Sequence, residues 1–159
     1  DIIRGTPTLT QLMIMYFVIL KGQNGLLVGS LTFGLNSAAY VAEIIRAGIQ
    51  AVDQGQMEGG RAMGLSFATT MRKIVIPQAV KNILPTLGNE FISLIKETSV
   101  VSFVGASDLY VAFNFIGSNS YEFMIPYLVM AIIYIVLVLL ISFGIKMMER
   151  SLRKSDRSH

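Results

Sequence analysis

The chain has 159 residues, of which 53% are hydrophobic and 14% are charged, and its mean hydropathy is +0.60. Ordinary soluble domains carry about 25% charged residues, so this composition indicates a membrane protein. Cysteine is absent and His159 is the single histidine, which excludes disulfide scaffolds, thiol nucleophiles, histidine-based metal centres and Ser-His-Asp catalysis. The net charge of +3 comes from basic residues beside apolar runs, a pattern typical of topological anchoring, and we expect no nucleic-acid partner.

Two apolar runs early in the chain predict membrane-spanning helices at residues 7–20 and 26–48. The first run is short for a crossing, which takes roughly 20 residues, and it ends at a turn from Gly22 to Gly25. Asn36 lies near the middle of the second run, where an amide is costly unless it is paired or faces water. Small residues recur there at every fourth position and predict close packing against another helix: Ser30, Gly34, Ala38 and Ala42.

A polar loop then runs from Asp53 to Pro77, and it is called the polar loop below. Asp53 is placed to cap a first short helix and Gly64 to end it. Ser66 is placed to cap a second helix, Phe67 to Ile76, which Pro77 is expected to stop. The pattern therefore predicts two short helices joined by a glycine corner.

The second of these helices carries an apolar edge, because Phe67, Met71 and Ile74 recur at helical spacing. An apolar edge ringed by charges predicts a compact knob that docks into a cleft of a partner protein. The loop glycines could instead indicate phosphate binding, but neither a GK[ST] ending nor GxGxxG is present. A hairpin lying on anionic lipid stays open as an alternative.

Two further spans are predicted at residues 79–104 and 123–146, separated by a mixed loop from Val104 to Ser120. The first of them carries polar residues at steps of three and four, which favours a face toward the bundle interior or an aqueous cavity. These residues are Asn82, Thr86, Asn89, Ser93 and Lys96, flanked by Glu90 and Glu97. Lys96 and Glu97 also fit a role at the membrane interface or in pairing with another helix. The predicted fold is all-α, a bundle of about four transmembrane helices with the two-helix polar loop.

The basic residues fall on one side of this four-helix path, whereas the other side has little beyond Lys21. They are Arg4, Arg46, Arg61, Arg72, Lys73, Lys81 and the tail Lys146, Arg150, Arg153, Lys154 and Arg157. By the positive-inside rule we expect the polar loop and the C-terminus to be cytoplasmic.

The polar loop resembles the EAA loop of ABC importer permeases. The resemblance rests on Glu58, Gly59-Gly60, Gly64 six positions after the Glu, and an apolar helix ending at Ile74 to Pro77. The flanking blocks are similar to polar amino acid permeases of the histidine, glutamine and arginine type: Arg4-Gly5-Thr6-Pro7, Leu35 to Tyr40 with Glu43 and Arg46, Gly55-Gln56, Pro77-Gln78-Ala79, Leu87 to Leu94, and Lys96 to Ser99.

The chain departs from that pattern in two ways. The family usually has Ala-Ala or Ala-Gly where this chain has Gly59-Gly60, which predicts a first helix weaker by roughly 1 kcal/mol per glycine. The family usually has five spans, one of them before the Arg-Gly-Thr-Pro turn. We therefore expect a chain truncated at its N-terminus, which fits its start at Asp1.

The resemblance implies a permease of the bacterial inner membrane that pairs with a second permease subunit, identical or related. It also implies an ABC ATPase subunit that binds the polar loop, and an extracytoplasmic substrate-binding protein that delivers a polar, or basic, amino acid. The chain has no Walker motif, so ATP and Mg²⁺ are expected on the partner ATPase and no cofactor in this chain.

The resemblance also assigns two sets of site residues. The ATPase-docking set is Met57, Glu58, Gly59, Gly60, Arg61, Gly64, Phe67 and Met71, with Met63 as a further apolar anchor. The substrate-binding set is Asn36, Asn89, Glu90 and Ser93, with Met15 or Tyr16 as an apolar wall. Glu90 is expected to take an ammonium or guanidinium group.

Two other classes of function compete with this interpretation. An ion-coupled secondary carrier or channel has its own coupling carboxylates and does not need a docking knob. An intramembrane enzyme needs a nucleophile and a base, and the sequence offers no plausible pair.

Overall fold

The structure is a computed structural model that describes the backbone of residues 2–154 and the side chains of residues 3–151. Asp1, Arg157 and His159 lie outside the described residues, and so do the side chains of Arg153 and Lys154.

Within this described part the chain is helical and contains no strand, which confirms the predicted all-α fold. Eight α-helices follow one another: α1 Ile2–Gly5, α2 Thr8–Ile14, α3 Gly25–Gln50, α4 Gln54–Ala62, α5 Phe67–Thr70, α6 Ile76–Glu97, α7 Leu109–Ser120 and α8 Met124–Lys154. Wider π-helical turns follow α2 and α5, at Met15–Ile19 and Met71–Val75, and a 3-10 helix, Thr98–Val104, follows α6.

Two of the described helices are long and apolar enough to cross a membrane, Gly25–Gln50 and Met124–Ser151. A third candidate is the pair Phe67–Val104 and Leu109–Ser120, which is bent by 57° at its break. The pair counts as a membrane span only if both parts belong to one crossing. Thr8–Ile19 is a shorter apolar helix. The four predicted spans overlap these stretches, and their membrane boundaries stay predictions.

The described residues form two compact units, each of which is described by itself. The first comprises residues 2–39 and Phe91–Ile141. Its apolar clusters are centred on Leu12, Val28 and Val104 and on Phe33, Val101 and Ala106. A Cβ atom at Gly25 would lie 2.1 Å from the backbone oxygen of Val104, so α3 begins in backbone contact with the 3-10 helix and has no room for a side chain there.

The second unit comprises, among the described residues, Tyr40–Glu90 and residues 142–154. Its core is Val52, Val75, Ala79 and Ile83, which joins the end of α3 to the start of α6. A Cβ atom at Gly48 would lie 2.2 Å from a side-chain carbon of Ile83, so these two helices are also in close contact. The polar loop is built on this core.

The prediction that Pro77 stops the second loop helix is wrong. The chain stays helical from Phe67 through α6, and the Ile76 N–H donates to the Met71 oxygen, five residues back. Proline disrupts a regular helix because it lacks an N–H and clashes with the carbonyl four residues earlier. A π-helical turn directly before Pro77 changes that local spacing, which explains how the helix continues.

The predicted mixed loop from Val104 to Ser120 is also wrong over most of its length. Residues Leu109–Ser120 form α7, and the Asp108 side chain caps it by accepting a hydrogen bond of 2.8 Å from the Val111 N–H. An aspartate N-cap ahead of an apolar run is an ordinary helix start signal. The turn-rich Gly117 to Ser120 obscured it in the sequence.

The small residues predicted to pack against another helix are exposed along α3: Ser30, Gly34, Ala38 and Ala42. A Cβ atom at Gly34 would meet nothing within 4 Å. The close approach within the first unit occurs at Gly25 and Gly29 instead. The packing role of the predicted stripe stays a prediction.

Candidate functional site

The polar loop begins with the predicted cap. Asp53 precedes α4, and its Oδ1 atom accepts a hydrogen bond of 2.6 Å from the Gly55 N–H. A carboxylate at this position satisfies one of the free N–H groups at the helix start and opposes the positive end of the helix dipole. The prediction of Asp53 as an N-cap is confirmed.

The glycine corner is also confirmed. Gly64 has a φ of +86°, in the left-handed region where a side chain would be strained. Its N–H donates to the Arg61 oxygen at 3.0 Å, and the Leu65 N–H donates to the Gly60 oxygen at 3.1 Å, which is the usual paired ending of a helix at glycine. Ser66 then caps α5, since its hydroxyl accepts from the Thr69 N–H at 3.2 Å.

The two neighbouring glycines of α4 have different surroundings. A Cβ atom at Gly59 would meet nothing within 4 Å, whereas one at Gly60 would lie 2.5 Å from Cγ2 and 2.9 Å from Oγ1 of Thr70. Thr70 is completely buried, and its hydroxyl donates to the Ser66 oxygen at 3.0 Å. Gly60 therefore lets α4 rest directly on the second loop helix, whereas Gly59 packs against none of the described residues.

The predicted apolar anchors face two directions. Met57 and Met71 are partly buried and pack against the core of the second unit. Met63 is 84% exposed and Phe67 is 56% exposed. The predicted edge is therefore divided, and Met63 and Phe67 are the anchors that this chain leaves open.

The charged residues of the docking set, Glu58 and Arg61, are both exposed. The base of the loop is fastened by Gln78 of α6, whose amide nitrogen donates to Gln56 Oε1 at 3.2 Å and to the Ile74 oxygen at 3.1 Å. A capped, internally packed knob thus presents charged and apolar side chains to its surroundings.

The substrate-binding set is divided between the two units. Asn36, Met15, Tyr16 and Ser93 belong to the first unit. Asn36 is buried at 5% exposure and donates to Gln11 Oε1 at 3.0 Å. Gln11 in turn donates to Thr6 Oγ1 at 2.7 Å and to the Thr6 oxygen at 3.0 Å. The Asn36 amide therefore has a partner within its own unit, which offsets the cost of burying it.

Gln11 was missed by sequence reasoning, although a lone amide in an uncharged run is the signal that singled out Asn36. Met15 and Tyr16 follow Gln11 in the chain and pack against the apolar cluster that contains Leu12. Ser93 is half-buried in the same unit. Glu97 accepts a hydrogen bond of 3.3 Å from the Thr8 hydroxyl, which gives this carboxylate a partner on α2.

The remaining members of the set, Asn89 and Glu90, belong to the second unit. Asn89 is exposed and Glu90 is half-buried. Gly88 precedes them, and a Cβ atom there would lie 2.8 Å from Ile145 side-chain carbons, so α6 and α8 touch at this level. The substrate role of all six residues stays a prediction.

The sequence of the whole described part has known relatives. Residues 1–154 match the family of binding-protein-dependent transport system inner membrane components. A protein named as a glutamine transport system permease, GlnP, in Rickettsia bellii (strain RML369-C) is 43% identical over 156 residues, which cover 96% of this chain and 72% of that protein. The arginine transport system permease protein ArtQ of Bacillus subtilis (strain 168) is 41% identical over 160 residues, covering 98% and 73% of the two chains.

Solved structures are also similar to this chain in fold. A crystal structure of an amino acid ABC transporter with histidines is similar with a TM-score of 0.89 at 46% identity, over 94% of this chain and 72% of that one. The inward-facing MetNI methionine ABC transporter shares the fold at 21% identity, with a TM-score of 0.77 over 95% of this chain and 71% of that one. The chain therefore belongs to the family of binding-protein-dependent transport system inner membrane components, as a permease subunit of the amino acid ABC transporter class.

Proposed function

We propose that this permease takes up a polar amino acid across the bacterial inner membrane, powered by an ABC ATPase that binds the polar loop from the cytoplasm. The observation that carries the proposal is the shape of the loop. Its caps, its glycine corner and the Gly60–Thr70 contact hold a small rigid knob together, and the knob exposes Met63 and Phe67. Exposed apolar anchors on a rigid support are typical of a protein-binding surface.

Charged residues supply the polar part of the proposed interface. Glu58 and Arg61 are exposed on the same loop as the apolar anchors. The basic residues Arg61, Arg72 and Lys73 favour the cytoplasmic side for this loop, and Arg150 near the chain end favours the same side. An ATPase is cytoplasmic, so the proposed orientation and the proposed partner agree.

We propose that the transporter works by alternating access. Two packings of the permease pair, one open outward and one open inward, differ in the position of the polar loops, and ATP binding on the partner selects between them. The transported amino acid arrives on a substrate-binding protein outside the cell.

The substrate is proposed to be a polar amino acid and, within that class, one with a cationic side chain. The relatives are named for glutamine and arginine, and the solved transporter holds histidines. Glu90 supplies a carboxylate that suits an ammonium or guanidinium group. Asn36, Asn89 and Ser93 supply neutral donors and acceptors for the zwitterionic backbone.

The test is uptake of labelled glutamine, arginine and histidine into proteoliposomes that contain the permease, its ATPase and its binding protein. Uptake should require ATP and the ATPase subunit, and removing the ATPase should abolish it. Uptake that persists without the ATPase and depends on an ion gradient would identify a secondary carrier instead.

A further inference from the structure

A groove lies at the base of the polar loop, wholly within the second unit. Its volume is about 290 Å³. Its apolar lining comes from the end of α3 and the turn after it, from α4 and from the π-helical turn before α6: Ile49, Val52, Met57, Met71 and Val75. The rim is polar and carries Gln50, Asp53 and Gln54.

The charge of this groove is set by Asp53. Among its described lining residues Asp53 alone is charged, and it is exposed. One carboxylate oxygen of Asp53 accepts from the Gly55 N–H, but a carboxylate offers about four acceptor positions, so it retains capacity for a further donor. Arg46 reaches the rim through a 2.7 Å hydrogen bond to Gln50 Oε1, but its charge is paired with Glu43.

An apolar slot with one carboxylate at its mouth fits a long cationic side chain. The aliphatic stem of a lysine or arginine lies well along methionine and valine side chains, while its charged end bonds to the carboxylate. Met57 and Met71 are flexible and adapt to such a stem. The same carboxylate disfavours an anionic lipid headgroup, since like charges would meet at the rim.

The position of the groove selects the partner that supplies this side chain. Asp53 caps α4, the helix that carries Glu58 and Arg61, so the groove opens at the foot of the proposed ATPase-binding knob. We propose that this groove receives a lysine or arginine side chain of the ABC ATPase subunit. The interface then interlocks in both directions, with Met63 and Phe67 entering the ATPase and a cationic side chain of the ATPase entering the permease. This inference rests on the proposed function.

Photocrosslinking in the assembled transporter tests the geometry. A benzophenone amino acid replaces Gln54 at the rim of the groove, and in a second variant it replaces Met63 at the tip of the knob. With the Gln54 probe, mass spectrometry should identify an ATPase peptide that contains a lysine or arginine. Crosslinks from Gln54 to lipid or to the second permease, with Met63 still crosslinked to the ATPase, would overturn the groove proposal alone. Absence of ATPase crosslinks from both positions would overturn the proposed function as well.

A charge substitution tests the chemistry. In Asp53→Asn the cap is kept, because asparagine caps helices about as well as aspartate, but the carboxylate charge is lost. The ATPase should then dissociate from the permease about tenfold faster, since a hydrogen bond to a charged group is replaced by a neutral one.

The matched control is Asp108→Asn, which changes the same kind of cap on α7 at a residue that does not line the groove. It should leave the dissociation rate unchanged. Equal dissociation rates for the two variants, at equal helix content by circular dichroism, would contradict the proposed role of Asp53.

Discussion

Adding one methyl group at Gly59 should stabilise the polar loop, whereas adding one at Gly60 should leave its stability unchanged or lower it. Either substitution by alanine stabilises an exposed helix by about 1 kcal/mol through helix propensity. At Gly59 the new methyl group meets nothing within 4 Å, so the whole gain is kept. At Gly60 it lies 2.5 Å from Thr70 Cγ2, and Thr70 is completely buried.

The expected size of the difference follows from the cost of overpacking. Inserting a methyl group into a well-packed contact costs about 1–3 kcal/mol, which cancels or exceeds the propensity gain at Gly60. The two variants should therefore differ by about 1–3 kcal/mol, with Gly59→Ala more stable than the wild type. In hydrogen exchange of the α4 amides, each 1 kcal/mol appears as a change of about fivefold in protection.

A second substitution checks the mechanism. Thr70→Ser removes the Cγ2 atom that lies 2.5 Å away and keeps the hydroxyl that donates to Ser66. Gly60→Ala should cost less in that background than in the wild type, which a double-mutant cycle measures. Equal protection in Gly59→Ala and Gly60→Ala, or no coupling between Gly60 and Thr70, would refute the reasoning.

Three further predictions concern the rest of the chain. Gly25→Ala should prevent stable folding, because its Cβ atom would lie 2.1 Å from a backbone oxygen. Gly34→Ala should be tolerated, because its Cβ atom would meet nothing within 4 Å. Thermal unfolding in detergent compares the two variants, and equal melting temperatures would contradict the close contact at Gly25. Asn36→Leu should destabilise the first unit by about 1–3 kcal/mol, because the Gln11 amide oxygen loses its donor. The loss of stability should be smaller in a Gln11→Leu background. An equal loss in both backgrounds would contradict a stabilising Asn36–Gln11 hydrogen bond. Glu90→Gln should reduce uptake of arginine more than uptake of glutamine, and an equal reduction of both would remove Glu90 from substrate recognition.

Features that depend on neighbouring residues could be predicted from the sequence. Asp53, Gly64 and Ser66 act within one helical turn, and each has the predicted role. The long apolar helix ending in basic residues and the family resemblance belong to the same kind of evidence, since they require only local composition and order.

Features that depend on distant contacts could not be predicted. The sequence gives no reason to distinguish Gly59 from Gly60. They differ because Gly60 lies against the buried side chain of Thr70 and Gly59 does not. Likewise, the partner of Asn36 is an amide 25 residues away on another helix.

The direction of a side chain within a short helix was also beyond the sequence. Helical spacing placed Phe67 and Met71 on one edge, but Met71 packs against the core of the second unit while Phe67 stays exposed. Which residue of such an edge is covered depends on contacts with distant parts of the chain.

We propose that the polar loop couples ATP hydrolysis on a partner subunit to transport. The most direct test is charge reversal at Glu58, an exposed residue of the knob, in transporter reconstituted with its ATPase and binding protein. Glu58→Lys should insert into the membrane normally while substrate-stimulated ATP hydrolysis and uptake are both lost. Wild-type stimulation and uptake in that variant would contradict the claim.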